Sequence, residues 1–166
     1  SDLIQLGWLL TDAAGRILSE GNHIVRPDGF EIPKAASDVH GITTEFALEN
    51  GKPLLDVIFA FGGDLNQAEC VIGHNLDYDL HIVGAEYVRL GYDSRIMFAR
   101  PTLCTMQATI QYCNIPGRYG PKWPKLMELY TKLFGQEFDG AHDAMADIRA
   151  TKDCFFELLK RGIVRL

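Results

Sequence analysis

Two short segments far apart in the chain carry the residues best suited to chemistry. Gly73-His74-Asn75-Leu76-Asp77-Tyr78-Asp79 and Ala141-His142-Asp143-Ala144-Met145-Ala146-Asp147 each end in an aspartate that should fall in the first turn of a helix. The helix dipole and the free N–H groups of that turn favour an ionised carboxylate. Asp79 and Asp147 are therefore candidate oxygen ligands for hard divalent cations such as Mg²⁺ or Mn²⁺. His142 lies just ahead of the second helix, with Asp143, Ala144, Met145 and Ala146 between it and Asp147. A neutral imidazole, with an ordinary pKa of about 6.5, can take a proton from water as it attacks a phosphodiester.

Each of these residues also has a plainer reading. A carboxylate in a first turn stabilises its own helix by about 0.3 to 1 kcal/mol whatever else it does. Asp77 and Asp143 read as caps or solvated acids, and His74 as a structural ring bonded to backbone near a strand end. Asn75 is expected as the N-cap of the helix after it, with substrate contact as its second role. His40, Gly41 and Thr43 are candidates to approach a terminal base or sugar, since Gly41 allows close backbone approach; the alternative is a turn with Thr43 as helix cap. Arg118, Tyr119, Lys122, Trp123 and Lys125 mix positive charge with rings, as a substrate-guiding loop would, or as a solvated loop with Trp123 packed inward would.

The elements that must position these groups follow from patterning. Residues 4–11 and 16–25 are strand-like, and the turn Asp12-Ala13-Ala14-Gly15 makes them a hairpin. Helical stretches are expected over 35–39, 43–49 and 54–66, the last with Leu55, Ile58, Phe59 and Leu65 as its apolar face. The apolar run 70–73 should be a mid-sheet strand buried on both faces, followed by a helix to Leu90 with Gly91 as stop. A strand over 102–105 leads to a helix ending near Cys113, and 114–125 is a Pro- and Gly-rich loop. Pro124 is expected to open a helix that ends at Phe134-Gly135. The last helix, capped by Asp143 and stopped by Gly162, buries a stripe of Ala144, Ile148, Thr151, Phe155, Leu158 and Leu159. Helices alternating with short apolar strands indicate an α/β layered domain.

The motifs make a family resemblance specific. His74 to Asp79 resembles the second exonuclease motif of DnaQ-like 3′→5′ exonucleases, and Ala141 to Asp147 is similar to their third motif in its His-x₄-Asp form. Val39-His40-Gly41-Ile42-Thr43 looks like the family's segment between the first and second motifs, and Cys104-Thr105-Met106 like its strand-to-helix step after the second. The resemblance covers nearly the whole chain. It implies a ribonuclease H-like fold with a mixed five-stranded sheet flanked by helices. It also implies two divalent cations, Mg²⁺ or Mn²⁺, on Asp79 and Asp147, with His142 as the general base. The implied activity is release of nucleoside 5′-monophosphates from the 3′ end of a single-stranded DNA or RNA, with DNA favoured. A polymerase or a second copy of the chain is the implied kind of protein partner.

The family's first motif, an Asp-x-Glu supplying two more ligands, has no match among residues 1–166. The expectation is a single exonuclease domain over 1–166, N-terminally truncated, lacking the first strand and acting poorly by itself. The alternative is an inactive exonuclease-fold module that binds nucleic acid or protein.

Composition sets the outer bounds. With 166 residues, 47% of them hydrophobic, one core can form, and a net charge of −6 argues against coating nucleic acid by bulk electrostatics. No apolar run suits a membrane span or signal peptide, so the expected location is cytoplasmic. Cys70, Cys104, Cys113 and Cys154 lack metal-site spacing and read as reduced, buried thiols.

Overall fold

The computed structural model describes residues 2–96 and 99–166, with the side chain of Ile96 outside the description. Strands β1 (Gln5–Thr11) and β2 (Ile17–Ile24) pair antiparallel across the anticipated turn. Asp12 closes that turn by accepting the N–H groups of Ala14 and Arg16, and Gly15 takes φ +87°. Three helices follow: α1 (Lys34–His40), α2 (Thr44–Asn50) and α3 (Leu54–Leu65). Then come β3 (Val71–Gly73), α4 (Leu76–Arg89), β4 (Thr102–Cys104), α5 (Thr105–Ala108) and α6 (Ile110–Cys113). A small hairpin of β5 (Pro116–Gly117) and β6 (Gly120–Pro121) leads to α7 (Leu126–Phe134) and α8 (Ala144–Lys160).

Alternation along the strands places the layers. In β3, Val71 packs against the cluster that holds Val57, Leu80 and Val83 on the α3–α4 side, whereas its neighbour Ile72 packs against the cluster that holds Leu129, Phe155 and Leu158 on the α7–α8 side. The hairpin is covered in the same way. Leu6 faces the α3–α4 cluster, while at Gly7 an added Cβ would lie 2.8 Å from Ile148 Cδ1. Helix α8 runs alongside the hairpin, with Ile148 over Gly7 and the Phe156 ring over Gly15, so its first turn lies toward the hairpin's open end. The cluster of Ile32, Ile42 and Ala47 packs on Ile4 and Ile24 at that same end, which brings the α1–α2 junction there too.

Several expectations need correcting. Among the described residues the strands form three two-stranded sheets, β1–β2, β3–β4 and β5–β6, in place of one five-stranded sheet. β3 pairs in parallel with β4 alone and is half-buried, so it is not a mid-sheet strand here. On α3, Leu55 and Phe59 are exposed, and Val57, Ile58 and Leu65 form the buried face. The helix expected to reach Cys113 breaks at Thr109, whose φ of −119° leaves helical geometry. Pro124 does not open α7; it is fully buried one residue before the N-cap Lys125. Cys113 and Cys154 are buried thiols as expected, but Cys70 and Cys104 are only half-buried. Burial pushes the Cys154 thiol up to about 12, which leaves it unreactive. Among the described residues no helix is long and apolar enough to cross a membrane.

The hairpin is pinned to α3 by one carboxylate. Asp64 accepts from Trp8 Nε1 at 2.7 Å and from Ser19 Oγ at 2.7 Å. The indole so held lies over Gly21, where a Cβ would come within 2.2 Å of the ring. Gly63, on α3, has open space at the same position. Gly21→Ala is therefore expected to destabilise the fold by about 1 to 3 kcal/mol through overpacking, and Gly63→Ala to stabilise it by about 0.5 to 1 kcal/mol. Urea unfolding checks both, and a shift of the same sign for the two variants would contradict this placement of Trp8.

Candidate active site

The two chemistry-bearing segments build their helix starts alike. Asp79 is the fourth residue of α4 and Asp147 the fourth of α8, and each is preceded five positions earlier by a histidine, His74 and His142. The backbone just ahead of each helix departs from right-handed geometry at a non-glycine residue: Asn75 has φ 64° and His142 has φ 75°. Asn and His tolerate this region better than most residues, yet it still stores strain. It also overturns one expectation. Asn75 occupies the N-cap position, but in the left-handed conformation its side chain makes no capping bond. Asp143, in extended geometry, does cap, accepting from Ala146 N–H at 3.0 Å.

The two histidines meet opposite fates. His74 Nε2 lies 2.9 Å from the carbonyl of Pro124, which can only accept, so Nε2 carries the proton. Nδ1 lies 2.9 Å from Thr105 Oγ1, at the start of α5. Both nitrogens are thus committed, and desolvation lowers the ring's pKa from 6.5. His142 is exposed, and among the described residues its ring makes no hydrogen bond; its backbone N–H donates to Asp147 Oδ1 at 3.1 Å. Only the second imidazole is open to solvent-borne chemistry.

The two carboxylates share an electrostatic setting. Crowding by protein atoms raises Asp79 to about 6. Asp79 is nevertheless exposed at the surface, so its carboxyl occupies an open but protein-walled position. Desolvation also raises Asp147, partly offset by the His142 backbone N–H and by the nearby His142 charge. Neither acid meets a Lys or Arg among the described residues. A raised carboxylate lacking a basic partner suits a divalent cation, which takes oxygen ligands and completes its shell with water and substrate phosphate. The donor chemistry therefore fits such an ion, although no three His, Cys, Asp or Glu side chains cluster to hold one among the described residues.

The remaining candidates lie together at the α1–α2 junction. Gly41 ends α1 with φ 76° and has open space where a Cβ would project. Thr43 caps α2 by accepting from Phe46 N–H at 3.1 Å, the plainer of its two anticipated roles. His40 Nδ1 accepts from Ile42 N–H at 3.0 Å, which puts the neutral ring's proton on Nε2. That Nε2 is shielded from solvent and has no acceptor among the described residues. A buried donor left unpaired costs about 1 to 3 kcal/mol, so a ligand oxygen brought to it would be held. Asp77 accepts from Gln107 Nε2 at 3.0 Å, as a solvated acid. The structure thus joins His142 with Asp147 and His40 with Gly41 and Thr43, while among the described residues no hydrogen bond or ion pair links Asp79 to either group.

Strands between two helical layers, with acids opening helices beside strand ends, define an α/β domain of ribonuclease H-like fold. A zinc-bound E. coli exonuclease I in complex with single-stranded DNA superposes with TM-score 0.79 at 22% identity, over 95% of this chain and 36% of that one. The profile of the RNase T exonuclease family matches residues 1–155. The chain belongs to this family, the DnaQ-like exonucleases that its motifs resemble. Human three-prime repair exonuclease 1 is 30% identical over 125 residues, 70% of this chain and 40% of that protein. An uncharacterised exonuclease, CP81 of Escherichia phage 186, is 32% identical over 158 residues, 92% of this chain and 78% of that protein. The chain thus spans well under half the length of the human relative and of exonuclease I.

His74 yields a test of the site's scaffold. Its folded pKa lies below its unfolded value of 6.5, so the folded state binds fewer protons at this ring. The stability it contributes is full above that value and is lost as pH falls through the folded pKa. Asp79, raised to about 6 from 3.8, acts in the opposite sense: its cost is full above about 6 and is relieved on acidification. Comparing the wild type with His74→Gln at each pH cancels the aspartate. The wild type should lose stability relative to the variant between about pH 7 and 5. A pH-independent difference between the two urea midpoints would contradict a neutral, fully bonded His74.

Proposed function

We propose that this chain is a metal-dependent 3′→5′ exonuclease that hydrolyses terminal phosphodiesters of single-stranded DNA, with RNA as the second substrate class, and releases nucleoside 5′-monophosphates. The observation that carries this reading is the matched pair of helix starts: two carboxylates raised by desolvation with no Lys or Arg partner among the described residues, one of them backed by a free imidazole. Asp79 and Asp147 would hold divalent cations, Mg²⁺ or Mn²⁺, which supply positive charge for the attacking and leaving oxygens. An unprotonated ring nitrogen of His142 takes the proton of the attacking water. The backbone bond from His142 to Asp147 Oδ1 fixes the spacing between base and acid. His40 Nε2–H, the open backbone at Gly41, Thr43 and Asn75 would receive the terminal nucleotide. The single-stranded DNA bound by exonuclease I supports the substrate class, and the repair function in the human relative's name agrees with the lean to DNA.

A second reading, an exonuclease-fold module that binds without cutting, has one geometric support: no group of three His, Cys, Asp or Glu side chains is placed to hold a metal ion among the described residues. Hydrolysis decides between the two. With 5′-labelled single-stranded DNA, stepwise shortening is expected with Mg²⁺ or Mn²⁺ and none with EDTA. His142→Gly keeps the left-handed backbone and removes only the ring, so it should lower kcat by about 10² to 10⁴. An unchanged kcat in that variant would remove His142 as the base, and binding with no metal-dependent shortening would favour the module.

A further inference from the structure

The β5–β6 hairpin is the feature that the proposed chemistry leaves unused. Its ladder pairs Pro116 with Pro121 and Gly117 with Gly120, and Lys122 N–H extends it to the Ile115 carbonyl at 2.8 Å. The two-residue tip is Arg118-Tyr119. Tyr119 is 92% exposed and Trp123, just after the second strand, is 57% exposed, although a tyrosine or tryptophan of a folded domain normally covers much of its ring. The Arg118 guanidinium stands 5.4 Å from the centre of the Tyr119 ring, leaving the opposite face open. Lys122 is taken up by Glu128 at 2.7 Å, and the Lys125 charge also acts on that carboxylate, whereas Arg118 is exposed without a carboxylate partner among the described residues. Two open rings, the unpaired Arg118 and the exposed Lys125 on a chain of net charge −6 form a local surface for an anionic, ring-bearing ligand.

The arm is also tied to the site. Pro124, next to Trp123, is fully buried and its carbonyl accepts the Nε2 proton of His74, the residue that leads into Asn75 and helix α4. The rings are therefore presented from a base locked to the segment that carries Asp79.

We propose that this arm is a single-strand clamp: Tyr119 and Trp123 stack on unpaired bases of a nucleic-acid strand while Arg118 and Lys125 hold its phosphates. This rests on the exonuclease reading for the direction of the strand toward the site, but binding can be read without turnover. Every base has a π-face, so the clamp takes any sequence, and duplex bases, already stacked, are poor ligands for it.

The test is a fluorescence titration of the full chain in EDTA with a dT oligomer of about 12 nucleotides, within the usual span of single-strand sites. The chain has two tryptophans, and Trp8 is buried under the hairpin, so quenching on binding reports Trp123. The expected result is quenching by the oligomer that is lost in Trp123→Phe with affinity nearly kept. Tyr119→Ala should weaken binding five-fold or more, the low end of about 1 to 3 kcal/mol per stacked base. Arg118→Ala should lower the salt slope of binding by about 0.7. Each variant's far-ultraviolet spectrum and urea midpoint confirm folding. Absence of quenching, or wild-type affinity in Tyr119→Ala and in Trp123→Ala, overturns the clamp and leaves the rings as a surface for a protein. Quenching without any metal-dependent hydrolysis keeps the clamp and rejects the exonuclease; hydrolysis with KM unchanged in both alanine variants does the reverse.

Discussion

The ring of His74 holds three parts of the molecule in register. It stands where β3 ends, and its two nitrogens reach the Thr105 hydroxyl at the start of α5 and the Pro124 carbonyl ahead of α7. β3 has only three residues and, among the described residues, a single partner strand, so its own ladder is too short to fix the direction in which α4 departs. The imidazole supplies that fixation from the side. It also explains why a proline whose carbonyl faces inward is fully buried: a proline has no N–H to satisfy there, and its one polar group is paired. Through this bond the position of Asp79 and the base of the β5–β6 arm depend on the same side chain.

The pairing of His74 with His142 shows how one local pattern acquires two roles. Both residues lie five positions before an aspartate that is the fourth residue of a helix. Desolvation and two committed nitrogens make the first a brace, whereas exposure and a merely backbone-level bond to Asp147 leave the second free. The aspartates differ less. Each is raised by crowding and meets no Lys or Arg among the described residues, the setting in which a divalent cation adds most. Left-handed backbone at Asn75 and His142 stores strain beside both acids, and strain of this kind persists only where surrounding structure imposes it.

Much of this was legible in the sequence where one local rule acts alone. Gly15 after Asp12 marked the hairpin turn, apolar spacing marked α8 and Asp143 was readable as its cap, but of the expected stripe only Phe155 and Leu158 are buried, joined by Met145, Ala150 and Cys154, while Ala144, Ile148, Thr151 and Leu159 are half-buried. The His142–Asp147 spacing and the structural role of His74 were readable as well. What escaped was set by tertiary contact. Two-residue strands such as Pro116–Gly117 have no room for alternation, so the arm looked like a plain loop. Pro124 carries the helix-start signal, but its burial and its bond to a histidine fifty positions away moved the start to Leu126. On α3, Ile58 and Leu65 are buried as expected, but Val57 replaces Leu55 and Phe59 on the inward face because the packed neighbours decide which side of an apolar helix is covered. His40 had chemistry visible in its type, yet its unpaired Nε2 emerges only from the fold around it.

The proposed chemistry stands on Asp79 and Asp147 serving the same ions. Mn²⁺ is paramagnetic and broadens the nuclear resonance signals of nearby amides, so a titration of the isotope-labelled chain addresses this without any substrate. The amide signals around Asp79 and around Asp147 are expected to broaden together at one Mn²⁺ concentration, and Asp79→Asn should weaken the effect at both places. Broadening confined to one helix start, or an unaltered response at Asp147 in that variant, would contradict a shared metal site.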